Sequence, residues 1–183
     1  MKLKFIVSKS ANFFFFIDNL SEWNVYCRKN YNQEWIRQFG QLSANEKSAL
    51  KDYCSLMQKY GMNDTYKKIR KIFYTNELDN LKSVIKKLEK IINKEDINFI
   101  QNTFNILKPR FNKMWFKYQA LISNNKNIIL KDYKIKKNKL NLIYLKLNNF
   151  YGARLINQYL NIYLIICPIK NYQGGKVIDK NII

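Results

Sequence analysis

LNIYLIICPI, residues 160–169, is the stretch on which the fold class turns. It is almost continuously apolar and rich in β-branched residues, which suits a strand buried on both faces. It leads through Pro168 into KNYQGGKVIDKNII, residues 170–183, where Gly174 and Gly175 read as a tight turn before a second β-branched stretch. One or two strands make no stable sheet alone, and an unpaired apolar strand end is an aggregation liability. The ending therefore reads as an interrupted sheet.

Working outward, LKFIVS (residues 3–8) alternates Leu3, Phe5 and Val7 against Lys4, the pattern of a short strand. Nearly everything between the two candidate strands has helical spacing. Ser10 is placed to cap a helix whose run from Phe13 to Ile17 is apolar all round, implying burial on most sides. Trp23, Cys27, Tyr31, Trp35 and Phe39 recur every four residues, one stripe of a helix or of two short ones, ended by Gly40. Ser43 and Glu46 form a capping-box pattern; Leu50, Cys54 or Tyr53, and Met57 continue an inner face to Gly61, a helix of about four turns.

Two further helices are predicted over 64–75 and 77–93, the second carrying Leu78, Leu81, Ile85, Leu88 and Ile92. Glu95 or Asp96 opens another, with Phe99, Phe104 and Leu107 inward, until Pro109 begins the next. Residues 123–139 are Asn- and Lys-rich, a loop or linker or else a helix with a solvated face. Helical spacing resumes over Leu140–Tyr151 and Gly152 stops it. The prediction is an α+β chain, mostly helical, with a short amino-terminal strand and one or two strands near the carboxyl end. Residues 1–183 make one domain, incomplete at its end: a helical region over 1–122, a loop or linker over 123–139, and a helix plus strands over 140–183.

Composition narrows the function classes. Apolar residues are 47% and aromatics 15% of 183 residues, enough to build a core despite a net charge of +20. The charge is uneven: residues 1–96 carry 18 basic and 11 acidic groups, a net of +7, and residues 97–183 carry 15 and 2, a net of +13. A surface of that kind attracts phosphate backbones or anionic lipids. A drift toward AT-rich codons, which favour Lys, Asn, Ile, Tyr and Phe, is the competing cause. Three widely spaced cysteines, Cys27, Cys54 and Cys167, read as reduced thiols. Lys9, Ser10 and Asn12 interrupt the apparent signal peptide at the start, and no stretch reaches the roughly 18 apolar residues of a membrane span. A cytoplasmic location is expected.

The chain contains no histidine, which removes His-containing zinc sites, Ser-His-Asp triads and Cys-His dyads. Cys27 beside Arg28 and Lys29 reads as a structural thiol on an apolar stripe. QGGK, residues 173–176, lacks the length and the Ser or Thr of a phosphate-binding loop. Glu95 and Asp96 diverge by about 100° on a helix, so they are helix-start residues and not an acid–base pair. No metal, cofactor or catalytic residue is expected. What remains is KPRFNKMWFKYQ (residues 108–119), where bases alternate with rings that could stack on nucleobases. The same spacing describes an amphipathic helix with core rings. Lys108, Arg110, Lys113 and Lys117, with Lys134, Lys136, Lys137 and Lys139, are the candidate nucleic-acid contacts.

Five stretches taken together carry a resemblance: NLSEWNVYCRKNYNQEW (19–35), LSANEKSALKDYCSLMQKYG (42–61), LKPRFNKMW (107–115), NFYG (149–152) and IYLIICPIKNYQGGKVIDKNII (162–183). The chain resembles the amino-terminal part of uncharacterised bacterial proteins related to zinc metallopeptidases. The resemblance implies a helical region, a strand and a Gly-rich turn preceding a helix with HExxH, whose histidines bind zinc and whose glutamate activates water. It stops short of that helix, so no catalytic residue carries over, and the expectation is a non-catalytic chain cut before the active site, a fragment or an interrupted reading frame. Two other classes are expected alternatives. One is a basic nucleic-acid-binding or ribonucleoprotein module; the other is an assembly subunit whose carboxyl-terminal strand pairs with a partner's sheet.

Overall fold

A computed structural model describes residues 2–61, 63–75, 81–151, 159–169, 177–178 and 181–182. The chain forms two compact units. A helical unit comprises Ser8–Tyr118 and Ile165–Gln173; a sheet unit comprises Met1–Val7, Gln119–Leu164 and Gly174–Ile183. The mostly helical α+β class read from the sequence is what the chain adopts.

The helical unit is built around α1 (Lys9–Leu20). Its cap is Ser8, not Ser10: the Ser8 hydroxyl accepts from the Ala11 N–H at 3.1 Å, while Ser10 lies inside the helix and donates to the Phe73 carbonyl at 2.6 Å. Phe13, Phe14, Phe16 and Ile17 are buried on different sides of the helix. Phe13 stacks on Phe111 at 4.3 Å, Phe14 on Phe73 at 5.0 Å, and Phe16 meets Trp35 edge-on at 4.9 Å. Three other helices are thereby fixed against α1, each such side chain contributing about 1.5–3 kcal/mol of burial.

α2 spans Lys29–Phe39 only, so the expected stripe from Trp23 to Phe39 is helical in its second half alone. Asn19 prevents the earlier start. Its Oδ1 accepts from the Arg28 N–H at 2.8 Å and its Nδ2 donates to the Arg28 carbonyl at 3.1 Å, tying residues 21–28 into turns that a helix would break. α3 (Ala44–Tyr60) opens on the expected capping box, with the Glu46 N–H donating to Ser43 Oγ at 3.2 Å and the Ser43 N–H to Glu46 Oε2 at 2.8 Å. Its inner line runs through Leu50, Tyr53 and Met57, all buried, with Cys54 half-buried beside it. Gly61 closes the helix at φ +57°, a conformation that favours glycine.

α4 (Asp64–Thr75) falls where the spacing places it. α5 is Leu81–Leu88, shorter than the expected 77–93; Leu78 lies outside the described residues. Ile92 remains buried beyond the helix end. Asn93, rather than Glu95 or Asp96, caps the next helix, its Oδ1 accepting from the Asp96 N–H at 2.8 Å. That helix, α6 (Lys94–Tyr151), is continuous through Pro109, contrary to the expected break. An interior proline costs about 3 kcal/mol, but Phe104 and Leu107 before it and Phe111 and Met114 after it are all buried, and together they outweigh that cost. Phe99 is exposed, not inward; the inward series is Ile97, Ile100, Phe104 and Leu107. Residues 123–139, read as a loop or linker or as a helix, are helical, and so are residues 140–151.

In the sheet unit the strand order is β1 (Lys2–Ile6), β2 (Tyr159–Tyr163), β4 (Asn181–Ile182), β3 (Val177–Ile178). β1 and β2 run parallel, from Lys2 opposite Tyr159 to Ile6 opposite Tyr163; β2 and β4 are parallel, and β3 and β4 antiparallel. β2 therefore has neighbours on both sides, and the open edge expected of the 160–169 run is covered by the chain itself. The strand also ends at Tyr163, well short of that run. Ile166 is instead held in the helical unit, where its N–H donates to Asn12 Oδ1 at 2.7 Å. On the outer side of β1, the Leu3 N–H donates to the Tyr133 hydroxyl at 3.2 Å. The helix stop at Gly152 and the turn at Gly174 and Gly175 fall outside the described residues.

Phe111 and Phe116 lie five residues apart on α6, one fully buried and the other exposed. Phe111→Ala should cost about 3–5 kcal/mol in urea unfolding, and Phe116→Ala no more than about 0.5 kcal/mol. Comparable losses would mean that α6 is rotated relative to this structure.

Candidate nucleic-acid interface

All eight candidate basic residues lie on α6, and they have different fates. Arg110 is a brace within the helical unit. Its Nε donates to Glu46 Oε1 at 2.7 Å and its Nη2 to Glu46 Oε2 at 2.9 Å, while Nη1 reaches the Gly40 carbonyl at 2.7 Å and Nη2 the Gln41 carbonyl at 2.7 Å. This bidentate pair is largely buried and closes the connection between α2 and α3 onto α6. The guanidinium is thereby committed inside the protein and is not presented to a phosphate.

Lys117 is partly engaged. Its Nζ donates to Gln38 Oε1 at 3.0 Å and lies 5.4 Å from the centre of the Phe39 ring. Lys108 and Lys113 are exposed. The rings of residues 108–119 resolve toward the amphipathic helix: Phe111 is core, Trp115 is half-buried and stacked on it at 6.0 Å, and the Tyr118 hydroxyl bonds Gln38. Phe116 is the exception, exposed beside Lys113 and Lys117.

In the sheet unit, Lys134, Lys136, Lys137 and Lys139 are all exposed on consecutive turns of the helix. Between Gln119 and Tyr151 the helix carries seven lysines and one acid, Asp132, whose Oδ2 is 4.0 Å from Lys136 Nζ. An ion pair so long and so exposed contributes little, and the surrounding potential remains positive.

Polar chemistry the sequence reading missed sits around Asp18. Trp23 Nε1 donates to its Oδ1 at 2.7 Å and the Tyr66 hydroxyl to its Oδ2 at 2.8 Å, while Cys27 Sγ donates to its carbonyl at 3.3 Å. Burial first, and then the Asp18 charge, push the Tyr66 phenol well above its ordinary value, so it stays a neutral donor. The buried Arg70 guanidinium lies over the Tyr66 ring at 5.4 Å. An aspartate following an apolar run gives no local sign of these partners. The network joins α1, α4 and the 21–28 turns, and Cys27 is held in it as a half-buried structural thiol.

Among the described residues no three His, Cys, Asp or Glu side chains are grouped so as to hold a metal ion, and no helix is long and apolar enough to cross a membrane. No protein-family model, curated protein or solved structure matches the chain.

The Arg110 bonds hold the Glu46 carboxyl below its ordinary value of 4.5, against the opposing effect of partial burial. A depressed carboxyl stabilises the fold fully above its unfolded value and loses that contribution as pH falls through the folded one. Glu46→Gln should therefore lower stability at neutral pH by about 1–3 kcal/mol and flatten the decline below about pH 4.5, read as melting temperature against pH. Parallel curves for the two proteins would show that Glu46 is not a source of the acid sensitivity.

Proposed function

We propose that this chain is a non-catalytic, cytoplasmic nucleic-acid-binding module, of the kind that serves in a ribonucleoprotein, acting through the lysine-rich surface of α6. The observation that carries the reading is the exposed series Lys134, Lys136, Lys137 and Lys139 on a helical stretch with a single acid. Regularly presented ammonium groups bind a phosphate backbone by releasing its counterions and require no base-specific geometry. In the helical unit, taken by itself, Lys108 and Lys113 are also exposed, Lys117 is engaged by Gln38, and Arg110 is held inside by Glu46. The resemblance to the amino-terminal part of zinc-metallopeptidase-like proteins belongs to the same proposal, as a helical region with no zinc ligand or cofactor of its own. Assembly through β2 is less favoured, since β2 already lies between β1 and β4 and, among the described residues, only the two-residue β3 stands at the carboxyl-terminal edge of the sheet.

Affinity for a generic single-stranded RNA, measured by fluorescence anisotropy, should fall steeply as salt rises. The log–log slope should shrink by about 0.7 for each phosphate contact removed, so that Lys134→Glu, Lys136→Glu, Lys137→Glu and Lys139→Glu together lower it by about 2–3. A flat salt dependence, or a slope unchanged in the quadruple variant, would remove this reading. The purified chain should also keep no stoichiometric zinc after dialysis, and zinc-dependent peptide cleavage would defeat the non-catalytic assignment.

A further inference from the structure

Beyond Gln119 the long helix leaves a row of large aliphatic side chains in solvent. Leu121, Ile128, Ile135 and Leu142 are 54, 61, 73 and 55% exposed, and each follows the last by seven residues. A seven-residue step returns to the same side of an α-helix with a drift of only about 20°. The four therefore form one stripe, about 31 Å long at 1.5 Å per residue. The residues that pack within the unit occupy a different side: Ile122 is buried, Ile129, Leu130 and Tyr133 are half-buried, and Tyr133 reaches β1. The stripe is a second apolar face.

Its period and its charge identify what fits it. A strict seven-residue spacing stays in register with another helix over several turns, because facing side chains meet at that interval. A lipid surface imposes no such period and favours a broader apolar face, whereas Lys139 and Lys146 fall within about 30° of this stripe at 100° per residue. Lys131 flanks it on one side and Asp132 on the other, both exposed, and Lys139 and Lys146 are exposed as well, so lysine stays in excess along the stripe. A second copy of the helix would set this excess of lysine against itself, a cost that an acidic partner reverses.

We propose that this stripe is the docking face for an acidic amphipathic helix of a partner protein. The partner's aliphatic heptad positions pack on Leu121, Ile128, Ile135 and Leu142, and its carboxylates meet Lys131, Lys139 and Lys146. The proposal goes beyond nucleic-acid binding and uses a different row of α6 from Lys134 and Lys137, with Lys139 common to both surfaces.

Three synthetic peptides of about four heptads test it: leucine heptads flanked by glutamate, the same heptads flanked by lysine, and the glutamate peptide with its order scrambled. At physiological salt the full chain should bind the acidic heptad peptide and neither of the others. Ile128→Asp with Ile135→Asp should weaken that binding about tenfold or more. Both positions are exposed, so melting temperature should not change; the neutral pair Ile128→Ser with Ile135→Ser, which removes the aliphatic row without adding charge beside Lys134 and Lys136, should also weaken peptide binding while leaving RNA affinity unchanged. Lys131→Glu with Lys146→Glu should shift preference toward the lysine-flanked peptide. Equal binding of the scrambled acidic peptide would reduce the stripe to non-specific charge and overturn the proposal. So would seam-dependent binding to anionic vesicles, or seam-dependent self-association, without peptide binding. Loss of RNA binding in every protein, wild type included, would count against the nucleic-acid reading alone.

Discussion

A helix that is apolar on every side can exist in water only if other elements surround it, and α1 imposes that constraint on the helical unit. Phe13, Phe14 and Phe16 each require a different neighbour, and Phe111 of α6, Phe73 of α4 and Trp35 of α2 supply them. Ring pairs add about 0.5–1.5 kcal/mol each beyond the area they bury, so the arrangement is specified as well as stabilised. The continuity of α6 through Pro109 follows from it. Breaking the helix there would separate Phe104 from Phe111, both of which lie against Phe13. The Arg110–Glu46 pair then fastens the start of α3 to the same turn of α6.

That core leaves α6 with two kinds of surface. Up to Tyr118 its apolar side is consumed by the helical unit, and its basic residues are partly consumed as well, Arg110 by Glu46 and Lys117 by Gln38. From Gln119 onward the helix belongs to the sheet unit, where lysines and a heptad row of aliphatics both remain in solvent. The Asp18 network ties α1, α4 and the 21–28 turns together through Trp23, Tyr66 and Cys27.

What could be read from the sequence was what neighbouring residues decide among themselves. The Ser43–Glu46 capping box, the Gly61 stop and the buried phenylalanine run each depend on a few adjacent positions, and each was legible. The start of α2 was not, because Asn19 holds Arg28 from nine residues away, and a four-residue stripe does not reveal that competition. The proline rule failed at Pro109 because tertiary burial on both sides outweighed a local cost. The pairing of Lys2–Ile6 with Tyr159–Tyr163 joins the two ends of the chain, and no periodicity signals it, so a strand in the interior of a sheet read as an open edge. Of the candidate site, the lysines were visible as residues, but the capture of Arg110 depends on Glu46, 64 positions earlier. The Asn and Lys residues around Leu121, Ile128, Ile135 and Leu142 gave a helical stripe the composition of a loop.

Hydrogen exchange with and without a single-stranded RNA at low salt tests the central claim, that α1 is the fixed interior of the protein and the lysine-rich part of α6 its working surface. The amides of Phe13–Ile17 should be the slowest in the chain and unaffected by RNA, because their exchange requires opening of the whole helical core. RNA should slow exchange in peptides covering Lys134–Lys139 and leave α1 unchanged. Exchange of α1 as fast as that of residues 119–151, or protection by RNA centred outside α6, would contradict the account.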